Sequence, residues 1–152
     1  MRKRYKKIAV GGTFDKFHKG HEKLLSTAFE MGEEVLIGVT SDCFASNKNH
    51  VIEEFSTRVQ RIEVFLRKYN NNYEIKEIFD SCGSADKDPL LDAIVVSKET
   101  EKTAEYINKL RYENGFQLLD IIVIDWILAY DGSPISSTRI RKGEIDNVGK
   151  LL

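Results

Sequence analysis

Gly11-Gly12-Thr13-Phe14-Asp15-Lys16-Phe17-His18-Lys19-Gly20-His21 (GGTFDKFHKGH) is the stretch that decides how this chain is read. Before it, Ile8-Ala9-Val10 is a short apolar run; after it, Leu24, Leu25, Ala28 and Phe29 recur on one helical face. The order is strand, glycine loop, helix. A helix start carries unpaired backbone N–H groups and a partial positive charge, which together bind phosphate. His18 and His21, at i and i+3, stand on one side of a helical turn. That spacing suits a surface or packing pair, a metal site or a phosphate site, and the glycine turn adds weight to the last. Neither the nucleotide P-loop pattern nor G-x-G-x-x-G is present, which argues against P-loop phosphotransfer and dinucleotide binding.

The chain has 152 residues and 41% hydrophobic content, enough for one domain (1–152) with one substantial core. Its 23 Lys plus Arg nearly balance 24 Asp plus Glu, for a net charge of -1. Bulk attraction to nucleic acid or to an acidic membrane surface is therefore not expected. The basic start MRKRYKK is followed by only three apolar residues before Gly11, so export is not expected. No apolar run approaches the roughly 20 residues of a transmembrane helix. Cys43 and Cys82 match no C-x-x-C or zinc spacing, which points to reduced thiols in the cytoplasm.

Val35 to Thr40 (VLIGVT) is β-branched and apolar on both faces, as in a parallel strand covered on each side. Gly32 reads as a left-handed cap of the helix before it. Ser41 to Phe55 is polar and aperiodic, a functional loop or lid that contains Lys48 and His50. Thr57 and Gln60 have capping-box spacing and open a second helix, which stops at Asn70-Asn71-Asn72. A third strand spans Tyr73 to Phe79, and a turn-rich loop follows from Asp80 to Asp88, with a single helical turn at Pro89-Leu90-Leu91. Ala93 to Val96 is a buried strand. Thr100 opens a helix with Ala104, Ile107 and Leu110 on one stripe and Asn114-Gly115 as its stop, and Leu118 to Ile124 is the fifth strand.

Alternating strands and helices imply an α/β fold: a Rossmann-like, doubly wound, five-stranded, mostly parallel sheet with helices on both faces. Ligands in such sheets sit beyond the carboxyl ends of the strands. The loops after the first, second and fourth strands should therefore converge on one edge. Near the end of the chain, Asp131-Gly132-Ser133-Pro134 is a turn, and Ser136, Ser137 or Thr138 can cap a helix whose N–H groups could receive a phosphate. Arg139 and Arg141 add fixed positive charge there.

GGTFDKFHKGH resembles the first signature of the HxGH nucleotidyltransferase superfamily, and Ile135 to Arg141 (ISSTRIR) resembles its C-terminal signature. Together with Val96 to Thr100 (VSKET), these motifs most resemble the archaeal phosphopantetheine adenylyltransferase family, over nearly the whole chain. The resemblance implies transfer of AMP from ATP to 4′-phosphopantetheine, giving dephospho-coenzyme A and pyrophosphate in coenzyme A biosynthesis. His21 would then donate to the phosphate as charge builds, and His18 would hold the ATP phosphates. Lys48 would bridge the acceptor phosphate and the α-phosphate. Thr13, with the backbone of Gly12 and Phe14, would position the acceptor phosphate, and Arg58 is carried over to the same side. Lys98 and Thr100 would contact the nucleotide, while Ser136, Ser137, Thr138 and Arg139 would bind the β- and γ-phosphates. Mg²⁺ would be held mainly by the phosphates and not by a protein cage. Other members of the superfamily, such as an FAD synthetase or a glycerol-phosphate cytidylyltransferase, remain open on the same motifs. So do a metal-dependent hydrolase built on His18, His21 and Asp15, with His50 as a further candidate ligand, and a non-catalytic nucleotide sensor.

Overall fold

The computed structural model describes residues 3–45 and 51–152. The chain runs β1 (Tyr5–Gly12), α1 (Lys19–Met31), β2 (Gly32–Thr40), α2 (Asp42–Ala45), α3 (Phe55–Leu66), β3 (Asn72–Ile78), β4 (Ala93–Val96), α4 (Glu101–Glu113), β5 (Asp120–Val123) and α5 (Ser137–Arg141). The five strands form one sheet in the order β3-β2-β1-β4-β5, and all four pairings are parallel. The order reverses between β1 and β4. That switch point puts the loop after β1 at the crevice where such sheets bind ligands.

Alternation along the strands divides the core into two layers. Ile8 and Val10 of β1 share one face with Val35, Ile37 and Val39 of β2, and α1 and α3 cover it with Leu25, Phe29, Ile62 and Leu66. Each such large apolar side chain, once fully buried, contributes about 1.5–3 kcal/mol relative to exposure. Ala9, Leu36, Ile94 and Val96 point the other way, toward Ala104 and Ile107 of α4. The doubly wound arrangement follows from this two-sided hydrophobicity of the central strands. The connection from β3 to β4 crosses β2 and β1 without a helix. Ala85 and Leu91 of that crossover pack beside α4 instead, and Pro89-Leu90, read as the start of a helical turn, forms only a turn.

Local differences from the sequence reading have identifiable causes. Gly32 is no left-handed cap: its backbone is extended (φ -115°, ψ 142°) and passes directly into β2. Glycine is required there by space, since a Cβ would lie 2.3 Å from Ile8 Cγ2. Helix α3 starts two residues before Thr57, with Glu54 at its N-cap, so the Thr57–Gln60 capping box does not form. Asn71 lies past the helix end and donates from Nδ2 to the carbonyls of Phe29 (2.8 Å) and Gly32 (2.7 Å), tying the α1–β2 junction to β3. Asn114 and Gly115 do terminate α4, with Gly115 at φ +77°.

Gly32→Ala gains about 0.4–1 kcal/mol from a less flexible unfolded chain, but the clash with Ile8 costs about 1–3 kcal/mol. Urea denaturation is therefore expected to show a net loss of stability. An unchanged or raised midpoint would mean that β1 and the α1–β2 junction separate easily.

Candidate active site

The loop after β1 turns sharply. Phe14 and Lys16 adopt left-handed backbone conformations at φ 57° and 52°, uncommon for any residue with a Cβ and a real outlier for a bulky aromatic. Such strain costs of order 1–3 kcal/mol and persists where surrounding contacts over-determine it. Those contacts are present. The Phe14 side chain is 1% exposed, and Thr13 O accepts from Arg58 Nη1 at 2.9 Å. Asp15, also buried, accepts from Glu53 N at 2.9 Å and from Arg141 Nη1, while its carbonyl accepts from Ser137 Oγ.

His18 is the N-cap of α1. Its side chain accepts from the first-turn backbone, including Gly20 N at 3.0 Å, and His21 Nδ1 in turn accepts from His18 N at 3.2 Å. The two histidines thus form a reciprocal capping box, with imidazoles in the usual places of serine and glutamate. Because both Nδ1 atoms accept from backbone N–H, each neutral ring carries its proton on Nε2. The rings stack with centroids 3.7 Å apart, and Phe14 and Phe17 flank His21 at 5.3 and 5.6 Å. Burial pushes the pKa of His18 down to about 4, so it is a neutral donor at physiological pH. A Cβ on Gly20 would lie 2.8 Å from the His18 ring, which explains the glycine between them.

The helix start does not offer the set of unpaired amides that the sequence suggests. Lys19 N donates to Asn147 O at 3.1 Å and Gly20 N to His18. Both imidazoles line the cavity at this helix start.

A cavity of about 510 Å³ lies over the carboxyl ends of the strands. Gly11, Gly12 and Gly38 leave bare backbone on its floor; Gly11 and Gly38 are register partners in the sheet. The cavity brings together His18, His21, Gly12, Thr13, Phe14 and Thr100, and with them Ser136, Ser137 and Thr138 from α5. Toward β2 and β3 it is walled by Lys76, Ile78 and Ser81 to Ala85, and toward β4 and β5 by Ser97, Trp126 and Ile127. Among these, Lys76 and Trp126 are additions to the sequence reading.

Three predicted residues do not reach the cavity. Arg58 is wholly buried and donates only to protein: Glu53 O (2.8 Å), Thr13 O, Thr40 O (2.8 Å) and Asp42 Oδ1 (2.8 Å). It ties together the segments that bound the site and does not itself line the cavity. Arg139 turns away toward Asp131, Glu144 and the carbonyl of Pro134. Arg141 lines the cavity in its stead, held by Asp15 and by Thr138 Oγ1 at 3.1 Å. Helical spacing carries this signal: at about 100° per residue, Arg141 lies about 40° from Ser137, whereas Arg139 lies about 160° away on the far side. Lys98 pairs with Asp125 at 3.4 Å on the surface. Lys48, like His50, lies outside the described residues.

Among the described residues no group of three or more His, Cys, Asp or Glu could hold a metal ion, and Asp15 is already engaged by Arg141. No helix among them is long and apolar enough to cross a membrane. Cys43 and Cys82 are not bridged to one another.

The lowered pKa of His18 has a consequence for stability. Between about 4 and 6.5 the unfolded chain binds a proton at this position that the folded chain refuses, so stability falls as pH drops through that window. The full difference corresponds to about 3 kcal/mol, reached near the lower end. Denaturation midpoints measured from pH 7 to 4 should decline more steeply for the native sequence than for His18→Asn, which keeps a capping acceptor without a titrating ring. Equal slopes would mean that the buried imidazole protonates without cost.

Comparison with known proteins agrees with this geometry. The cytidylyltransferase-like family matches residues 9–143. A phosphopantetheine adenylyltransferase of Methanothermobacter thermautotrophicus is 51% identical over 152 residues, covering 100% of this chain and 93% of that protein. One from Methanopyrus kandleri is 44% identical over 146 residues, covering 94% and 92%. A crystal structure of an Archaeoglobus fulgidus protein of unknown function superposes with a TM-score of 0.72 at 35% identity, covering 78% of this chain and 89% of that one. With both signatures folded into one cavity and relatives of this similarity over its full length, the chain belongs to the archaeal phosphopantetheine adenylyltransferases of the cytidylyltransferase-like family.

Proposed function

We propose that this protein transfers AMP from ATP to 4′-phosphopantetheine, forming dephospho-coenzyme A and pyrophosphate. The observation that carries the reading is the pair of stacked, backbone-anchored imidazoles sharing one cavity with Ser137, Thr138 and Arg141 from the far end of the chain. A phosphate oxygen of the acceptor attacks the α-phosphorus, the bond from that phosphorus to the bridging oxygen of the β-phosphate breaks, and pyrophosphate leaves. No covalent enzyme intermediate is needed, so catalysis consists of positioning and of stabilising developing charge.

In this reading the Nε2–H of His21 donates to the α-phosphate oxygens as charge builds, and His18 holds the ATP phosphates. Neutral donors suit this task because they need not be deprotonated or desolvated as ions during turnover. Thr13 and the backbone of Gly12 and Phe14 position the acceptor phosphate, with Lys48 bridging it to the α-phosphate. Ser136, Ser137 and Thr138 receive the β- and γ-phosphates, and Arg141 takes the place first given to Arg139. Ser136 has a second duty, since its Oγ accepts from Arg139 N as the cap of α5. Thr100 serves the nucleotide on the β4–β5 side, where Lys98 is turned to Asp125 instead, and this leaves the β2–β3 side of the cavity for the acceptor. Mg²⁺ would neutralise triphosphate charge while held mainly by phosphate oxygens and water. A cytoplasmic location, with ATP and the acceptor as its small-molecule partners, belongs to the same reading.

Pyrophosphate release should be seen with ATP and 4′-phosphopantetheine and not with FMN or glycerol 3-phosphate as acceptor; preference for either of those would overturn the substrate. His21→Ala should lower kcat by about two to three powers of ten with ATP affinity within several-fold, as for loss of a transition-state donor. An equal loss in ATP binding would make His21 a ground-state phosphate ligand.

A further inference from the structure

Arg111 of α4 is as deeply buried as Arg58 and has no part in the chemistry above. It is 0% exposed, and among the described residues none of its hydrogen bonds goes to a carboxylate. Nε donates to Gln117 O, and Nη1 donates to both Ala85 O and Asp88 O, each at 2.8 Å. Nη2 has no hydrogen-bond partner among the described residues. The guanidinium lies 5.6 Å from the Phe116 ring. Burial disfavours the cation, which Asp88 and Asp86 offset through their charge without hydrogen-bonding it, and an apolar side chain would suit this position, on the buried face of α4 with Ala104 and Ile107, at least as well for stability.

What arginine supplies and leucine cannot is donors. The β3–β4 crossover has no helix or strand to satisfy its carbonyls, yet Ser81 to Ala85 form the cavity wall on the β2–β3 side. A second tie reaches the same segment: Lys7 Nζ pairs with Asp88 Oδ2 at 2.6 Å. Gly83, at φ +56°, already sits against Ile78, where a Cβ would approach to 2.8 Å, so the wall is closely seated on β3.

We propose that Arg111 is a positioning residue for the acceptor: by holding the Ala85 and Asp88 carbonyls it fixes the Ser81–Ala85 wall against which the acceptor's pantetheine arm lies. The assignment rests on the adenylyl transfer proposed above. It separates the two substrates, because the nucleotide side of the cavity, at Ser97, Thr100 and Trp126, receives nothing from Arg111.

The test is steady-state pyrophosphate release with each substrate varied in turn, for the wild type, Arg111→Met and Arg111→Lys. Arg111→Met should raise KM for 4′-phosphopantetheine about tenfold or more while KM for ATP and kcat stay within about threefold, and Arg111→Lys should fall between. If KM for both substrates rises together, or neither changes in a variant shown to be folded by circular dichroism, the positioning role is wrong. Should Arg111→Met fail to fold, Arg111→Lys decides: an acceptor-only rise supports the role, and its absence overturns it. An active wild type with no such split overturns Arg111 alone. A wild type that does not adenylate 4′-phosphopantetheine overturns the proposed function, and the role of Arg111 with it.

Discussion

The carboxylate of Asp15 is the contact on which the site depends. It is 3% exposed and joins Arg141, 126 residues away in sequence, to the glycine turn after β1. The same residue receives Glu53 N through its side chain and Ser137 Oγ through its carbonyl. Three segments that share no strand pairing are thereby brought to one point. Removing Arg141 would leave the buried Asp15 charge uncompensated, so the turn, the entry to α3 and the start of α5 are energetically one unit. The ion pair also directs Arg141: a guanidinium braced by Asp15 and Thr138 cannot swing to solvent, and its remaining surface faces the cavity.

Two wholly buried arginines extend this logic to the two faces of the sheet. Arg58 on α3 gathers carbonyls from the loop after β1, from the last residue of β2 and from the segment before its own helix. Arg111 on α4 does the same for the crossover between β3 and β4. In both cases the guanidinium supplies donors where the chain leaves or lacks a secondary-structure ladder. Its rigid fork of five donors is suited to this, where lysine's flexible ammonium is not. Loops that bound a ligand site must remain irregular to present their backbone, and such irregular backbone, once buried, needs side-chain donors.

Much of the fold was legible because the central strands are β-branched runs, apolar on both faces, and because α1 and α4 show plain helical stripes. The boundaries read less well where tertiary contact overrides local signal. Gly32 resembles a helix cap in sequence, yet its role is to clear Ile8, a residue two dozen positions earlier. The start of α3 is set by how Glu53 meets the glycine turn, through Asp15 and Lys16 N, which no capping pattern reports. Within the site, the residues of the two signatures were legible as motifs, whereas the split between Arg139 and Arg141 required helical geometry. Arg111 was invisible for a different reason. The stripe Ala104, Ile107, Leu110 is completed on its buried side by residue 111, and a charged residue there reads as part of the polar face.

The His-x-Gly-His spacing is then a statement about helix ends before it is one about catalysis. An N-cap side chain meets the first-turn backbone, and the side chain at N3 reaches back to the N-cap N–H, so reciprocal capping alone fixes a separation of three. With serine and glutamate this device would only stabilise α1. With two imidazoles, each Nδ1 is consumed as acceptor, each proton is forced onto Nε2, and the rings are stacked at 3.7 Å in one orientation. Glycine at position 20 leaves the room that the His18 ring occupies. The first-turn amides of α1 are thereby taken up by the two rings, and both rings line the cavity. Burial keeps His18 neutral down to about pH 4, so its donor remains in place across the physiological range.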